Sequence, residues 1–101
     1  MSDRVLSLLG LCRRAHQLVI GAQTCEESVR EGRARLILHA TDASENSLKR
    51  LRRAAAECGV PVRSADRDKQ ALSNALGRLC AVLSIEDEGF ARKLEELLSN
   101  S

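Results

Sequence analysis

In this 101-residue chain the residues best placed to do chemistry lie in Leu18-Val19-Ile20-Gly21-Ala22-Gln23-Thr24-Cys25-Glu26-Glu27, a short apolar strand that breaks at one glycine and opens a helix. A helix N-terminus presents unpaired backbone N–H groups and partial positive charge, which together attract a phosphate or a carboxylate. Gly21 has no Cβ and so lets a ligand approach that backbone; the same glycine also reads as an ordinary tight turn. Cys25, close to a helix N-terminus, has a setting that lowers a thiol pKa, but its place on the Ala22-Cys25-Val29 stripe predicts burial. Cys12, Cys25, Cys58 and Cys80 form no C-x-x-C pair and have no histidine at ligand spacing, so no metal is expected. His16 reads as a surface or capping group, lacking a carboxylate–cysteine partner at a recognisable spacing. His39, inside an apolar strand, reads as a partly buried histidine satisfied by a neighbour. With no G-x-G-x-x-G, no P-loop and no paired carboxylates in a Gly-rich setting, neither an enzyme nor a cofactor is predicted.

Composition narrows the partner. Hydrophobic content of 44% fits a single globular domain over residues 1–101, with no room for a second. Phe90 is the one aromatic residue, so the core is Leu, Val, Ile, Ala and Cys, and no base-stacking platform exists. Any nucleic-acid contact must then rest on charge, backbone and shape. The net charge of +2 is too mild to identify such a binder, but cations are grouped. Arg4, Arg13 and Arg14 face only Asp3 in the first helix, and Lys49, Arg50, Arg52 and Arg53 outnumber Glu45 and Glu57 in the third. The second helix is the exception, with Glu26, Glu27 and Glu31 against Arg30. No signal peptide and no apolar run of membrane-spanning length is present, which predicts a soluble cytosolic chain with reduced, mostly buried thiols and no membrane partner.

The elements that must hold the turn follow from periodicity. Val5, Leu8, Leu9, Cys12 and Ala15 form the stripe of a first helix, capped by Ser2 or Asp3, whose closing Arg13-Arg14-Ala15-His16-Gln17 leads into Leu18-Val19-Ile20 and so should set its cations beside the Gly21 turn. The second helix stops at Gly32. Leu36 to Ala40 reads as a central strand covered on both faces. Thr41-Asp42-Ala43-Ser44 supplies turn and cap, and Leu48, Leu51, Ala55 and Cys58 the buried stripe of a third helix ending at Gly59. Val60-Pro61-Val62-Arg63 reads as an edge strand, because proline cannot donate to a ladder. Asp66 is the expected cap of a helix bearing Ala71, Leu72, Ala75 and Leu76 and ending at Gly77. Cys80 to Ile85 is another buried strand, and Phe90, Leu94, Leu97 and Leu98 mark a last helix capped at Glu86 or Asp87. This α-β alternation predicts a three-layer α/β/α sandwich, one four-stranded sheet with helices on both faces.

Several stretches in this order resemble the L-seven-Ae family of ribosomal proteins that bind kink-turn RNA, and within it the YlxQ-like bacterial branch. They are Val19-Ile20-Gly21, the helix ending at Gly32, Ala34-Arg35-Leu36-Ile37-Leu38, Thr41-Asp42-Ala43-Ser44-Glu45-Asn46, Gly59-Val60-Pro61-Val62 and Asp87-Glu88-Gly89-Phe90-Ala91-Arg92-Lys93-Leu94. In RNA-binding members the turn reads roughly Gly-Thr-Asn-Glu, followed three residues later by a lysine. The matching residues here are Gly21, Ala22, Gln23 and Thr24, with Glu27 at the lysine position. The resemblance implies that this turn meets base edges in a kinked RNA. Gln23 keeps an amide able to bond twice, Thr24 lacks the carboxylate acceptor, and Glu27 sets a negative charge against phosphate. It also implies a second contact from the loop before the last strand, about Gly77-Arg78-Leu79, with Arg78, Arg13 and Arg14 supplying phosphate contacts; Arg13 and Arg14 also read as helix-end charges complementing the dipole. Lys49, Arg50, Arg52 and Arg53 read as the wet face of a helix or as a secondary contact with ribosomal RNA. The expected partners are therefore structured RNA, ribosomal or kink-turn-like, together with ribosomal or transcription–translation proteins. The alternative is a protein-interaction module that has lost kink-turn binding.

Overall fold

The computed structural model describes residues 3–99. Nine elements follow one another in it: α1 (Arg4–Arg14), β1 (Leu18–Ile20), α2 (Ala22–Arg30), β2 (Leu36–His39), α3 (Glu45–Cys58), β3 (Val62–Ser64), α4 (Lys69–Leu76), β4 (Val82–Ile85) and α5 (Glu88–Ser99). Side chains cap the starts of α1, α4 and α5. Asp3 accepts from the Leu6 N–H, Asp68 from the Ala71 N–H, and Asp87 from the Phe90 N–H. Ser2, the other candidate cap for α1, lies outside the described residues.

The strands form one sheet in the order β1-β4-β2-β3. Both β1 and β2 run antiparallel to β4, with Leu18 and Leu36 opposite Ile85, while β3 is parallel to β2 with Ile37 opposite Val62. Side-chain alternation then divides the core in two. Leu18, Ile20, Leu36, Leu38, Leu83 and Ile85 meet Leu9 of α1, Leu72 and Leu76 of α4, and Leu94 and Leu98 of α5. Ile37 and Val82 meet Cys25 and Val29 of α2 and Leu48, Leu51 and Ala54 of α3. This is the expected three-layer α/β/α sandwich.

Four local expectations are corrected. The cap of α4 is Asp68, not Asp66; Asp66 sits in the left-handed region at φ 57°, with its N–H bonded to Ser64 Oγ. The buried stripe of α3 runs through Ala54 and Ala55, and Cys58, in the last turn beyond the sheet's cover, is exposed. Ala15 is the exposed C-cap of α1. The last strand begins at Val82, because Cys80 and Ala81 belong to the incoming loop.

Candidate nucleic-acid interface

The strand directions bring the C-terminal ends of β1, β2 and β3 together with the start of β4. Gly21 N–H donates to Val82 O at 3.1 Å, and Ala40 N–H to Ala81 O at 2.8 Å. The Gly21 turn, the β2–α3 connection and the α4–β4 loop therefore share one end of the sheet.

At the turn itself Gly21 holds φ 107° and ψ 145°, a backbone region open to little but glycine. Its carbonyl accepts the first helical bond, from Cys25 N–H at 2.8 Å. Having no side chain, it leaves the first amides of α2 without a side-chain cap, in contrast to α1 and α4. Ser44 likewise makes no side-chain cap at α3. Two uncapped helix starts thus lie side by side, and the groove between them is lined by Ala22, Gln23, Glu26, Asn46, Ser47, Arg50 and Leu51, with the Glu26 carboxylate paired to Arg50. Gln23 is exposed and Thr24 half-buried, its Oγ1 being the nearest atom a Cβ on Gly21 would meet, at 3.8 Å. Asn46, Ser47 and Arg50 were not among the turn residues singled out in the sequence, since only the pairing of α2 with α3 brings them there.

The α4–β4 loop is held from behind. Gly77 N–H and Arg78 N–H donate to Ser73 O at 2.8 and 3.2 Å, and Cys80 N–H donates to Ser73 Oγ at 2.9 Å. Cys80 is buried, and between these anchors Arg78 and Leu79 stand outward; Leu79 is 81% exposed, the most exposed large apolar side chain among the described residues. Arg13 reaches this loop, its Nη1 lying 3.6 Å from where a Cβ on Gly77 would be. Arg13 and Arg14 line the groove between α1 and α4 with Leu11, Asn74 and Gly77. The expectation that these arginines stand beside Gly21 is corrected: all of β1 separates the end of α1 from that turn, and it is the α4–β4 loop that Arg13 meets, while Arg14 lines the α1–α4 groove. That loop is the link, touching Arg13 at Gly77 and running into Val82, the partner of Gly21.

The acidic side chains of α2 are unequal. Glu26 pairs with Arg30 at 3.3 Å and Arg50 at 2.9 Å, and Glu31 pairs with Arg33. Glu27, exposed and one turn beyond Gln23 on the same face, has no ion pair among the described residues. Cys25 is fully buried, its Sγ 3.9 Å from Val19 O, and burial pushes its thiol up to about 12, so it is no nucleophile at neutral pH. His39 is half-buried, with Nδ1 2.9 Å from Ala40 O. His16, at φ 61°, is the exposed left-handed residue that follows α1, its N–H bonded to Arg13 O. No helix of the described residues is long and apolar enough to cross a membrane.

Residues 3–95 match the profile of the ribosomal protein L7Ae/L30e/S12e/Gadd45 family. Proteins named RNA-binding protein YlxQ are similar to the chain: that of Enterococcus faecium is 30% identical over 95% of this chain and 92% of its own length. That of Bacillus subtilis is 34% identical over 90% and 91%. Among solved structures, a protein of unknown function from Bacillus halodurans superposes with a TM-score of 0.90 at 32% identity, covering 97% of this chain and 99% of its own. The Giardia lamblia 15.5kD RNA binding protein shares the fold with a TM-score of 0.77 at 22% identity, covering 99% and 89%.

Proposed function

Since the chain belongs to the ribosomal protein L7Ae/L30e/S12e/Gadd45 family, we propose that it binds structured RNA through the Gly21 turn and the α4–β4 loop, holding a kinked element in its bent shape without performing chemistry on it. The observation that carries this reading is the Gly21 N–H to Val82 O bond, which sets a close-approach backbone turn and an outward leucine on one edge. Gln23 offers an amide that donates and accepts toward base edges, the uncapped amides of α2 face phosphate, Leu79 packs against an unstacked base or sugar, and Arg13, Arg14 and Arg78 neutralise backbone charge. The RNA is ribosomal or kink-turn-like, and the protein acts in the cytoplasm in association with the ribosome.

Fluorescence anisotropy with a kink-turn RNA and a straight duplex of equal length, each across a salt series, tests this. Preference for the kinked RNA, lost in Gln23→Ala and Leu79→Ala, is the expected result. Equal affinity for both RNAs, unmoved by these substitutions, refutes the kink-reading site. One observation favours a second reading: the unpaired carboxylate of Glu27 beside Gln23 repels phosphate, which suits a protein-interaction module on the same fold. That reading gains if the purified chain binds neither RNA.

A further inference from the structure

We propose that the outer face of α3 is a second RNA contact, in which Lys49, Arg52 and Arg53 hold the phosphate backbone of a helical RNA without reading its bases. This rests on the chain being an RNA binder, but not on the Gly21 turn reading a kink. Positions 49, 52 and 53 follow the spacing that puts side chains on one face, and together they span about 6 Å of helix axis. All three are exposed. The opposite stripe, Leu48, Leu51, Ala54 and Ala55, is buried and fixes the helix against the sheet, so the face has a set orientation. It also points away from the first site, because Arg50, on the α2 side of α3, is the cation that meets Glu26.

Three observations separate this face from an ordinary solvated one. Glu45 and Glu57 each stand four residues from one of its cations, Lys49 and Arg53, where helical ion pairs form readily. Among the described residues Glu45 makes no ion pair, and Glu57 turns instead to Arg30 at 3.4 Å. Arg52 is held by a group that carries no carboxylate: its Nη2 lies 3.4 Å from His39 Nε2, while His39 Nδ1 lies 2.9 Å from Ala40 O. The guanidinium is thereby oriented while its charge stays uncompensated. Lastly, the large exposed apolar residues, Leu11 and Leu79, are both elsewhere. A face of concentrated charge with no apolar anchor lacks the buried centre that protein partners require, and fits a repeating phosphate backbone. With the Gly21 edge occupied by one RNA segment, this face can hold a flanking or second helix, raising overall affinity by linkage alone.

The test is the triple variant Lys49→Gln, Arg52→Gln, Arg53→Gln beside Gln23→Ala, each titrated with straight duplex and kink-turn RNA across a salt series, with circular dichroism melting to confirm folding. The triple variant is expected to lose about tenfold or more in straight-duplex affinity at low salt, with the salt slope smaller by about two to three, while keeping the ratio of kinked to straight binding. Gln23→Ala is expected to do the reverse. Straight-duplex affinity and slope unchanged in the triple variant overturn the proposal and leave the Gly21 site standing. Loss of duplex binding in that variant when the wild type shows no kink preference supports the α3 face and overturns the kink reading alone. Wild-type protein that binds no RNA overturns both. Competition by poly-glutamate as strong as by RNA of matched charge assigns the face to an acidic polypeptide and overturns it as an RNA contact.

Discussion

Gly21 shows how one residue type can be required by backbone alone. A Cβ at this position would meet nothing nearer than Thr24 Oγ1 at 3.8 Å, yet φ 107° with ψ 145° is strained for any other residue. Gly21→Ala is expected to destabilise the fold by about 1–3 kcal/mol, measured by urea denaturation; an unchanged midpoint would show that the turn relaxes. Glu27→Lys places a cation beside Gln23 and is expected to tighten RNA binding about tenfold, from the ~1.5 kcal/mol of a charged hydrogen bond and the repulsion removed; unchanged affinity would place Glu27 outside the interface. Native alkylation followed by mass spectrometry is expected to modify Cys58 while Cys12, Cys25 and Cys80 stay protected, since these three are buried and burial pushes their thiols to about 11 or 12. The glycine and the buried thiols were legible because each is stated by residue type and local pattern. Cys58 was not, because the α3 pattern continues through a last turn that the sheet no longer covers.

At the scale of elements, polar contacts fix what the hydrophobic faces leave free to slide. Ser28 Oγ donates to Glu86 Oε2 at 2.6 Å and lies 2.9 Å from Ser84 Oγ, tying α2 to β4 at a fully buried point, while Arg33 closes the network on Glu86 at 3.2 Å. Ser28→Ala leaves Ser84 unpaired and is expected to cost about 1–3 kcal/mol in thermal or chemical unfolding. Asp3 caps α1 and also takes a two-point bond from Arg67, at 2.9 and 3.0 Å, joining α1 to the β3–α4 loop. The Arg67 bond holds the Asp3 carboxyl below the usual carboxylate range, against the opposing effect of burial. A lowered folded pKa means stability that is present above about pH 4, the unfolded value, and lost as pH falls through the folded value. Asp3→Asn is therefore expected to keep the cap but flatten the acid dependence of stability below about pH 4; an unaltered acid limb would contradict the pairing. Helix existence and most boundaries could be read from stripes, caps and terminal glycines. The start of α4 could not, because Asp66 and Asp68 have the same capping chemistry and only the left-handed turn at Asp66 decides between them.

For the whole molecule, the decisive fact is strand order. A sandwich with one sheet follows from the α-β alternation, and Pro61 marks the edge strand. The insertion of β4 between β1 and β2 does not follow, since pairings such as Leu18 with Ile85 join distant parts of the chain and have no local signature. That order sets the Gly21 turn against the loop that presents Leu79, and sends Arg13 to Gly77 rather than to Gly21. The residues of the turn were thus visible in the sequence, while their partners across the edge became visible only through topology. Backbone amide chemical-shift mapping by NMR, with a kink-turn RNA titrated into the reduced protein, tests this shared edge most directly. The account expects the largest perturbations together at residues 21–24 and 77–81. Perturbations at neither stretch, in a protein that still binds the RNA, would contradict it.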